Sequence, residues 1–387
     1  MTTILCTSDL HISATSPRWA ECQRVLGWFA DLAVREADLV IIAGDLYDRA
    51  STPTERSFAA QWVTRIAAAC PVVIVRGNHD ASRDLAILGA LETGHEIHVF
   101  EQPGVLVEAG VVVQCLPWPR TAELAAKGLA GQALDEVARE ALRDVLRGLA
   151  NEAAATVGHE AAVGNTDAPI ILATHALITG AVTSHGQPLV GGELTVGLAD
   201  LALSRADVVV AGHIHKPQAW THGDVETLYC GSPFRTSFGE HEAKSVVRIE
   251  VDGARPVVSR IETPAQRMID IDAAWENGLL VLYTDRFAFG EGDVFGSHVR
   301  LRYTVQAEHR EAARALAAEL RAGWLAAGAE RVVVEPEVIA TSTARAPEIA
   351  RATTVRAQLE ALWTARGDRP ADADAVLLGL AEIEGEG

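Results

Sequence analysis

The sequence lacks any run of about 18 consecutive apolar residues, the length that a membrane-spanning helix needs. Its N-terminus also lacks the basic segment followed by an apolar one that marks a secretory signal. We therefore expect a cytoplasmic protein with no membrane partner. Its 387 residues, 49% hydrophobic and 22% charged, are typical of a folded globular chain with about two or three domains.

Cysteine is scarce and its arrangement excludes two kinds of site. The five cysteines are odd in number, scattered, and contain no C-x-x-C pair. This pattern argues against a disulfide framework and against a zinc site built from thiolates. We expect the cysteines to be small buried apolar residues.

Basic residues are in the minority, with 33 Lys and Arg against 52 Asp and Glu, for a net charge of −19. The average field of such a surface repels a nucleic-acid backbone. Nucleic acid remains possible as a partner, because a groove can be locally basic and a second subunit can supply cations.

Five short apolar runs, each typical of a buried β-strand, end in polar residues. They alternate with helical stretches over the first two thirds of the chain, which predicts a layered α/β architecture. Ligands of open α/β sheets collect outside the carboxyl ends of the strands, so we expect these polar residues to converge. The runs are 4–8, 39–43, 72–75, 170–173 and 208–211, and the residues that follow them are Asp9, His11, Asp45, Asn78, His79, Asp80, His175, His213 and His215.

Seven of these side chains are potential metal ligands: two carboxylates, one amide and four imidazoles, with no thiolate. That number is too large for one tetrahedral ion and suits two five- or six-coordinate ions that share a carboxylate. The pattern predicts a binuclear metal site. The alternative is a set of unrelated turn residues and hydrogen-bonded core histidines.

The motifs that carry these residues resemble a known family. Asp9-x-His11, Gly44-Asp45, Gly77-Asn78-His79-Asp80, Thr174-His175 and Gly212-His213-x-His215, in this order, are similar to the five signature motifs of the calcineurin-like metallophosphoesterases. The longer runs 8–11, 43–48, 212–218 and 229–234 resemble the family's bacterial branch of DNA-repair nucleases, which work with an SbcC-type coiled-coil ATPase. The resemblance is clear over about residues 1 to 265.

This resemblance implies a role for each matching residue. One metal ion would be held by Asp9, His11, Asp45 and His215, and the other by Asp45, Asn78, His175 and His213, so Asp45 would be the bridge. The resemblance favours manganese for both ions, and the ligand types by themselves also leave zinc open. Hydrolysis would start from a hydroxide formed between the metals.

Three further residues are candidates for a part in catalysis. His79 matches the family's catalytic histidine and would protonate the leaving group or stabilise the transition state. Asp80 would orient the turn that carries His79. Asp48 stands where other branches of the family have a second catalytic histidine, so we include it as a catalytic candidate.

We expect three segments: a metallophosphoesterase domain over 1–265, a smaller α/β cap module over 266–345, and C-terminal helices over 346–387. The resemblance implies that the cap module faces DNA and that the C-terminal helices dock the ATPase, whereas the spacing of the C-terminal residues alone suits a docking segment or a frayed tail. In the cap module, apolar periodicity predicts strands over 279–284, 298–305 and 331–334 and a helix over 308–326. An earlier amphipathic helix is predicted between residues 121 and 160.

The candidate substrate contacts are Arg49, Arg83, Lys216, Arg235 and His185, which lie close in sequence to the predicted ligands. Arg76 is a further nearby cation. The resemblance also implies a homodimer. The helix carrying Trp19, Trp28 and Phe29 is one candidate face for it, although a core-facing helix is the favoured interpretation.

Two other functions stay open. A small-molecule phosphodiesterase acting on a cyclic nucleotide would use the same site, and the acidic net charge favours it slightly, but it has no need of the extra module and tail. A binding scaffold with an inactive site is disfavoured, because all seven ligand candidates and His79 are present.

Overall fold

The computed structural model describes residues 1–81, 83–119, 131–162, 168–184, 194–253, 255–283, 294–339, 349 and 351–384. Within these ranges no helix is both long and apolar enough to cross a membrane. The chain forms two compact units. The first comprises Met1–Asp270, Gly290–Arg300 and Trp324–Val332, and the second comprises Ile271–Phe289, Leu301–Gly323 and Val333–Gly387.

Eighteen strands are described, from which three larger sheets and one two-stranded pair are built. In chain order they are β1 (Thr2–Thr7), β2 (Leu39–Ile42), β3 (Val72–Val75), β4 (Ile97–Phe100), β5 (Gly104–Glu108), β6 (Val111–Leu116), β7 (Ile170–His175), β8 (Leu177–Ile178), β9 (Thr195–Val196), β10 (Val208–Gly212), β11 (Gln218–His222), β12 (Val225–Tyr229), β13 (Ser245–Val251), β14 (Pro256–Glu262), β15 (Met268–Glu276), β16 (Leu279–Tyr283), β17 (His298–Gln306) and β18 (Arg331–Ile339).

The helices accompany these strands in both units. They are α1 (Trp19–Glu36), α2 (Pro53–Ala67), α3 (Ala86–Gly89), α4 (Gly131–Ala162), α5 (Leu198–Leu201), α6 (Arg310–Ala326), α7 (Val355–Arg366) and α8 (Ala373–Glu384). Helix α4 confirms the described part of the helix predicted between 121 and 160. The strands predicted over 279–284, 298–305 and 331–334 and the helix predicted over 308–326 correspond to β16, β17, β18 and α6, whereas β15 was not predicted. Residue 284 lies outside the described residues.

Two six-stranded sheets form the first unit. Their orders are β14-β13-β1-β2-β3-β4 and β11-β12-β10-β7-β6-β5. Strands β1 to β4 are parallel, as are β6, β7, β10 and β12, while antiparallel strands complete the edges. The predicted layered α/β architecture is thus confirmed. A further four-stranded sheet has the order β16-β15-β17-β18.

Both faces of the parallel strands are buried, which explains why the sequence shows continuous apolar runs there. Within β1, Ile4 and Cys6 face an apolar layer shared with residues of the other sheet, such as Ile171. Leu5 faces the opposite way and packs in the cluster that contains Phe29 of α1. Strand alternation therefore places β1 between two cores.

Two expectations about buried residues are met. All five cysteines are free and buried, and burial raises the pKa of the Cys22 and Cys70 thiols to about 12. Phe29 is fully buried, and Trp19 and Trp28 pack against the same core. Helix α1 is therefore core-facing, and the implied homodimer remains a prediction without a face assigned to it.

Gly212 at the end of β10 offers a test of how tightly the strand ends pack. An added Cβ would collide with the Ala43 carbonyl oxygen and lie 2.8 Å from the Ser8 Cβ. We expect Gly212→Ala to lower the free energy of unfolding by about 1–3 kcal/mol, measured by thermal denaturation, because the collision is with backbone.

The matched control is Gly27→Ala within α1, where an added Cβ meets no described atom within 4 Å. This change should stabilise the helix by up to about 1 kcal/mol, because alanine has the higher helix propensity. Equal effects of the two substitutions would contradict the packing argument.

Candidate metal centre

The carboxyl ends of β1, β2, β3, β7 and β10 meet at one place in the first unit. Asp9 and His11 follow β1, and His175 is the last residue of β7. Three groups of side chains each bring their ligand atoms within 4.8 Å of one another: Asp9, His11 and His215; His11, Asp45 and His79; Asp9, Asp45 and His175. The convergence expected from the strand pattern is therefore present.

One side of the site is formed by Asp9, His11 and His215. The Nε2 atoms of His11 and His215 lie 2.9 Å apart. The Asp9 carboxylate is oriented by two donors, the Ser8 hydroxyl at 2.5 Å and the His213 backbone N–H at 2.9 Å. These bonds fix the carboxylate facing the two imidazoles.

Asp45 lies between the two sides of the site. Its Oδ2 is 3.3 Å from the Nε2 of His175 and 3.8 Å from the Nε2 of His11. Its Oδ1 accepts the backbone N–H of His79 at 2.9 Å. The carboxylate thus reaches residues from three other strand ends.

Asn78 completes the other side. Its Oδ1 lies 2.9 Å from the Nε2 of His175 and 3.2 Å from the Nδ1 of His213. The ring of Trp118 lies against His213, with centroids 4.7 Å apart. The amide oxygen of Asn78, which lies between two imidazoles, is a third candidate oxygen ligand besides those of Asp9 and Asp45.

At the strand ends the backbone adopts the left-handed conformation, which few residue types other than glycine adopt readily. The φ angles are 53° at Asp9, 41° at His11, 53° at Asp45 and 110° at His213. Left-handed non-glycine residues are costly and cluster at functional sites. Gly77 leaves room for Asp45, because a Cβ at this position would collide with the Asp45 carboxylate and backbone nitrogen.

Several imidazoles have one nitrogen committed outside the site. The Nδ1 of His175 donates to the Ala43 carbonyl at 2.8 Å, and the Nδ1 of His79 donates to the Asp48 carbonyl at 2.7 Å. The Nδ1 of His215 lies 3.2 Å from Glu240 Oε1. A neutral ring with this N–H presents the lone pair of Nε2 inward. Converging lone pairs and carboxylates fit a divalent cation, so the residues present suit the metal ions that the sequence predicts.

The electrostatics of the site show where positive charge is needed. Burial raises the pKa of Asp45, but His175 and His11 outweigh burial and hold it well below its usual range. Burial lowers the pKa of His175, yet Asp45 raises it to about 9 overall. Burial and the charge of His175 lower the pKa of His213 to about 4. Asp45 is therefore ionised and attracts cationic groups.

Asp80 and Asp48 occupy different positions relative to this cluster. Asp80 is buried, and its two oxygens accept the backbone N–H groups of Tyr47 at 3.0 Å and Gly77 at 2.9 Å. Its carboxylate is thus engaged in orienting the turn. Asp48 is more exposed, with Oδ1 3.5 Å from the Nδ1 of His11.

The predicted cationic contacts differ in their surroundings. Arg49 is exposed and donates to the Thr15 hydroxyl at 2.7 Å, Arg83 is exposed, and Lys216 is half-buried. Arg235 is buried, and its three guanidinium nitrogens donate to the carbonyl oxygens of Glu240, Glu242 and Gln266. A phosphate contact by Arg235 would require these bonds to break. Arg76 donates to the Trp118 carbonyl, and His185 lies outside the described residues.

Sequence reasoning did not single out Trp118, Glu240 or Lys244. Glu240 and Lys244 are buried beside His215, in the segment between β12 and β13. The only sequence signal was their position shortly after the run 229–234, and nothing local indicates which histidine a glutamate will contact.

Comparison with known proteins gives the class to which this fold and site belong. Residues 2–217 match the family model for the calcineurin-like phosphoesterases, and this match covers more than half of the chain. The chain belongs to this family, as its motifs indicated.

Two relatives belong to a narrower class than the family as a whole. The chain is 27% identical over 263 residues to the SbcD component of the nuclease SbcCD from Escherichia coli (strain K12), a match that covers 61% of this chain and 62% of that protein. It is 29% identical over 268 residues to the SbcD component of the nuclease SbcCD from Bacillus subtilis (strain 168), covering 64% and 66%. The chain therefore matches somewhat less than two thirds of these relatives' length.

Among solved structures, the Plasmodium protein GAP50, described as the anchor in the inner membrane complex, is similar at 12% identity with a TM-score of 0.40. The match covers 67% of this chain and 84% of that one. This likeness is too weak to add to the conclusion on the family.

Asp80→Asn tests the orienting role of this carboxylate. Asparagine has one acceptor oxygen, so its NH₂ group would face the backbone N–H of Tyr47 or Gly77. We expect the free energy of unfolding to fall by about 1–3 kcal/mol, measured by thermal denaturation without added metal, because a buried donor loses its partner.

Asp84→Asn is the matched control for this substitution. The Ser51 backbone N–H and hydroxyl both donate to a single oxygen of Asp84, Oδ2, at 2.7 Å. An asparagine oxygen can accept both, so the loss should stay within about 0.5 kcal/mol. A similar loss for both variants would rule out the proposed geometry at Asp80.

Proposed function

We propose that this chain is the nuclease component of an SbcCD-type complex and hydrolyses DNA phosphodiesters at a two-metal site. The observation that carries the proposal is the cluster of seven oxygen and nitrogen ligands from five strand ends, centred on Asp45, in a chain of the calcineurin-like phosphoesterase family. The relatives from Escherichia coli and Bacillus subtilis are components of a nuclease, which supports the choice of a nuclease over other phosphoesterases.

In this proposal Asp9, His11, Asp45 and His215 hold one divalent ion, and Asp45, Asn78, His175 and His213 hold the other. The position of Asp45 between the two sides supports its role as the bridge. Oxygen and imidazole ligands without thiolate suit manganese. Two such ions activate water as a nucleophile and neutralise charge on the phosphodiester.

His79 is the proposed acid of the reaction. Its ring is exposed and lies 4.9 Å from the ring of His11, centroid to centroid. The bond from its Nδ1 to the Asp48 carbonyl orients the ring. In the imidazolium form, which carries a hydrogen on both nitrogens, its Nε2 can donate a proton to the leaving alkoxide or a hydrogen bond to a phosphate oxygen. Such general acid catalysis contributes about 10²–10⁴-fold to a rate.

Partners follow from the same proposal. Residues 266–345 would face DNA, and the C-terminal helices would bind a coiled-coil ATPase of the SbcC type. Exposed apolar side chains on α7 and α8, namely Val355, Val376 and Leu378, support a docking role. Arg49, Arg83 and Lys216 remain the proposed phosphate contacts, and a homodimer remains part of the proposal.

The first experiment is hydrolysis, with Mn²⁺, of a linear DNA duplex, bis-p-nitrophenyl phosphate and a cyclic nucleotide, with and without the ATPase partner. We expect duplex cleavage, and Asp45→Asn should abolish it because both ions lose a ligand. Asp84→Asn, outside the ligand set, should retain activity. Cleavage of the small diesters alone, even with the partner, would support the phosphodiesterase instead. Full activity of Asp45→Asn would refute the role of Asp45 as the carboxylate that the two ions share.

His79→Ala separates chemistry from metal binding. We expect this variant to bind two Mn²⁺ per chain, by isothermal titration, while turnover falls by about 10²–10⁴-fold because the acid is removed. His95→Ala, an exposed histidine outside the cluster, should change neither quantity. Loss of one Mn²⁺ in His79→Ala would make His79 a ligand and contradict its assigned role.

A further inference from the structure

His215 contacts a buried carboxylate on the side of its ring that faces away from the site. Glu240 is 3% exposed, and its Oε1 lies 3.2 Å from the Nδ1 of His215. The hydroxyl of Thr236 donates to the same oxygen. Thr236 and Glu240 lie beyond residues 2–217, where the family match ends.

A buried lysine holds this carboxylate in place. The Nζ of Lys244 contacts Glu240 Oε2 at 2.5 Å and donates to Glu242 Oε1 at 2.8 Å and to the Ser232 hydroxyl at 2.9 Å. It also donates to the carbonyl oxygen of His215 at 3.2 Å. Lys244 therefore anchors both Glu240 and the backbone of the histidine that Glu240 contacts.

The geometry determines which nitrogen of His215 faces the site. A carboxylate only accepts hydrogen bonds, so the bond to Glu240 requires a hydrogen on Nδ1. The lone pair of Nε2 then points toward Asp9 and His11, whose ligand atoms lie within 4.8 Å. Carboxylates that accept the outer N–H of a metal-binding histidine fix its tautomer and orientation.

We propose that Glu240 is a positioning residue, which holds His215 in the tautomer and orientation that bind a divalent cation through Nε2, and that Lys244 holds Glu240. This inference rests on the proposed function only in requiring a cation at His215. It adds to the site a segment that the signature motifs do not contain.

Glu240→Gln tests the proposal with Mn²⁺ as the probe. If the amide oxygen turned to His215, the NH₂ group would face the Lys244 ammonium, and the opposite orientation would place NH₂ against Nδ1 and favour a hydrogen on Nε2. We expect the wild-type chain to bind two Mn²⁺ by isothermal titration, and Glu240→Gln to weaken one of the two sites by about 10–100-fold.

The matched control is Glu242→Gln. Among the described residues, the Glu242 side chain bonds Lys244 and Ser184, so it shares the lysine with Glu240 without contacting His215. We expect its Mn²⁺ affinities to stay within about twofold of wild type, even if its melting temperature falls as far as that of Glu240→Gln. A purely structural role for Glu240 would lower only the melting temperature.

A double-mutant cycle identifies His215 as the residue through which Glu240 acts. In a His215→Ala background, Glu240→Gln should change the remaining Mn²⁺ affinity by less than about twofold, because the group that Glu240 orients is already absent. Additive losses would overturn the proposal.

Two results separate this inference from the proposed function. Unchanged Mn²⁺ affinity at both sites in Glu240→Gln would overturn the positioning role of Glu240 and leave the proposed two-metal site intact. A wild-type chain that binds no Mn²⁺ would overturn both the positioning role and the proposed function. If Glu240→Gln does not fold, the tautomer can be read in the wild-type chain loaded with diamagnetic Zn²⁺, by histidine ¹⁵N NMR. A hydrogen on Nε2 of His215 would overturn the proposal.

Discussion

The charge of Asp45 is the constraint on which the rest of the site depends. This carboxylate is 2% exposed at the junction of the two sheets, where an uncompensated charge would be costly. Imidazoles from β7 and from the turn after β1 face it, and the His79 backbone N–H donates to it. The absence of a Cβ at Gly77 gives it room. Cations held at the same place would compensate this charge in the proposed reaction.

Support for the site extends well beyond its signature motifs. Glu240 and Lys244 hold His215 from the segment between β12 and β13, and Arg235 fixes that segment through the carbonyls of Glu240 and Glu242. A buried ion pair of this kind is weak evidence for stability, because desolvation offsets attraction. In the proposal made above, orientation of His215 as a metal ligand is a better reason for its presence.

The net charge of −19 and a DNA substrate are compatible in this arrangement. Two divalent ions at the strand ends would place four positive charges where a phosphodiester must approach, and exposed Arg49 and Arg83 would add to them. The local field at a site can therefore differ in sign from the average surface.

The sequence by itself determined the layered α/β class, a helix between residues 121 and 160 and a set of candidate metal ligands. The candidates follow from the strand pattern, because buried parallel strands give continuous apolar runs and their carboxyl ends meet at one edge. Only the tertiary structure decided which distant residues pair. His215 with Glu240 is one such pair, and another is His298 with Arg18, whose side-chain nitrogens lie 2.7 Å apart across 280 residues of sequence. The guanidinium of Arg235, predicted for phosphate, is occupied by three carbonyls. Such contacts follow from packing between separate segments, and local spacing carries no information about them.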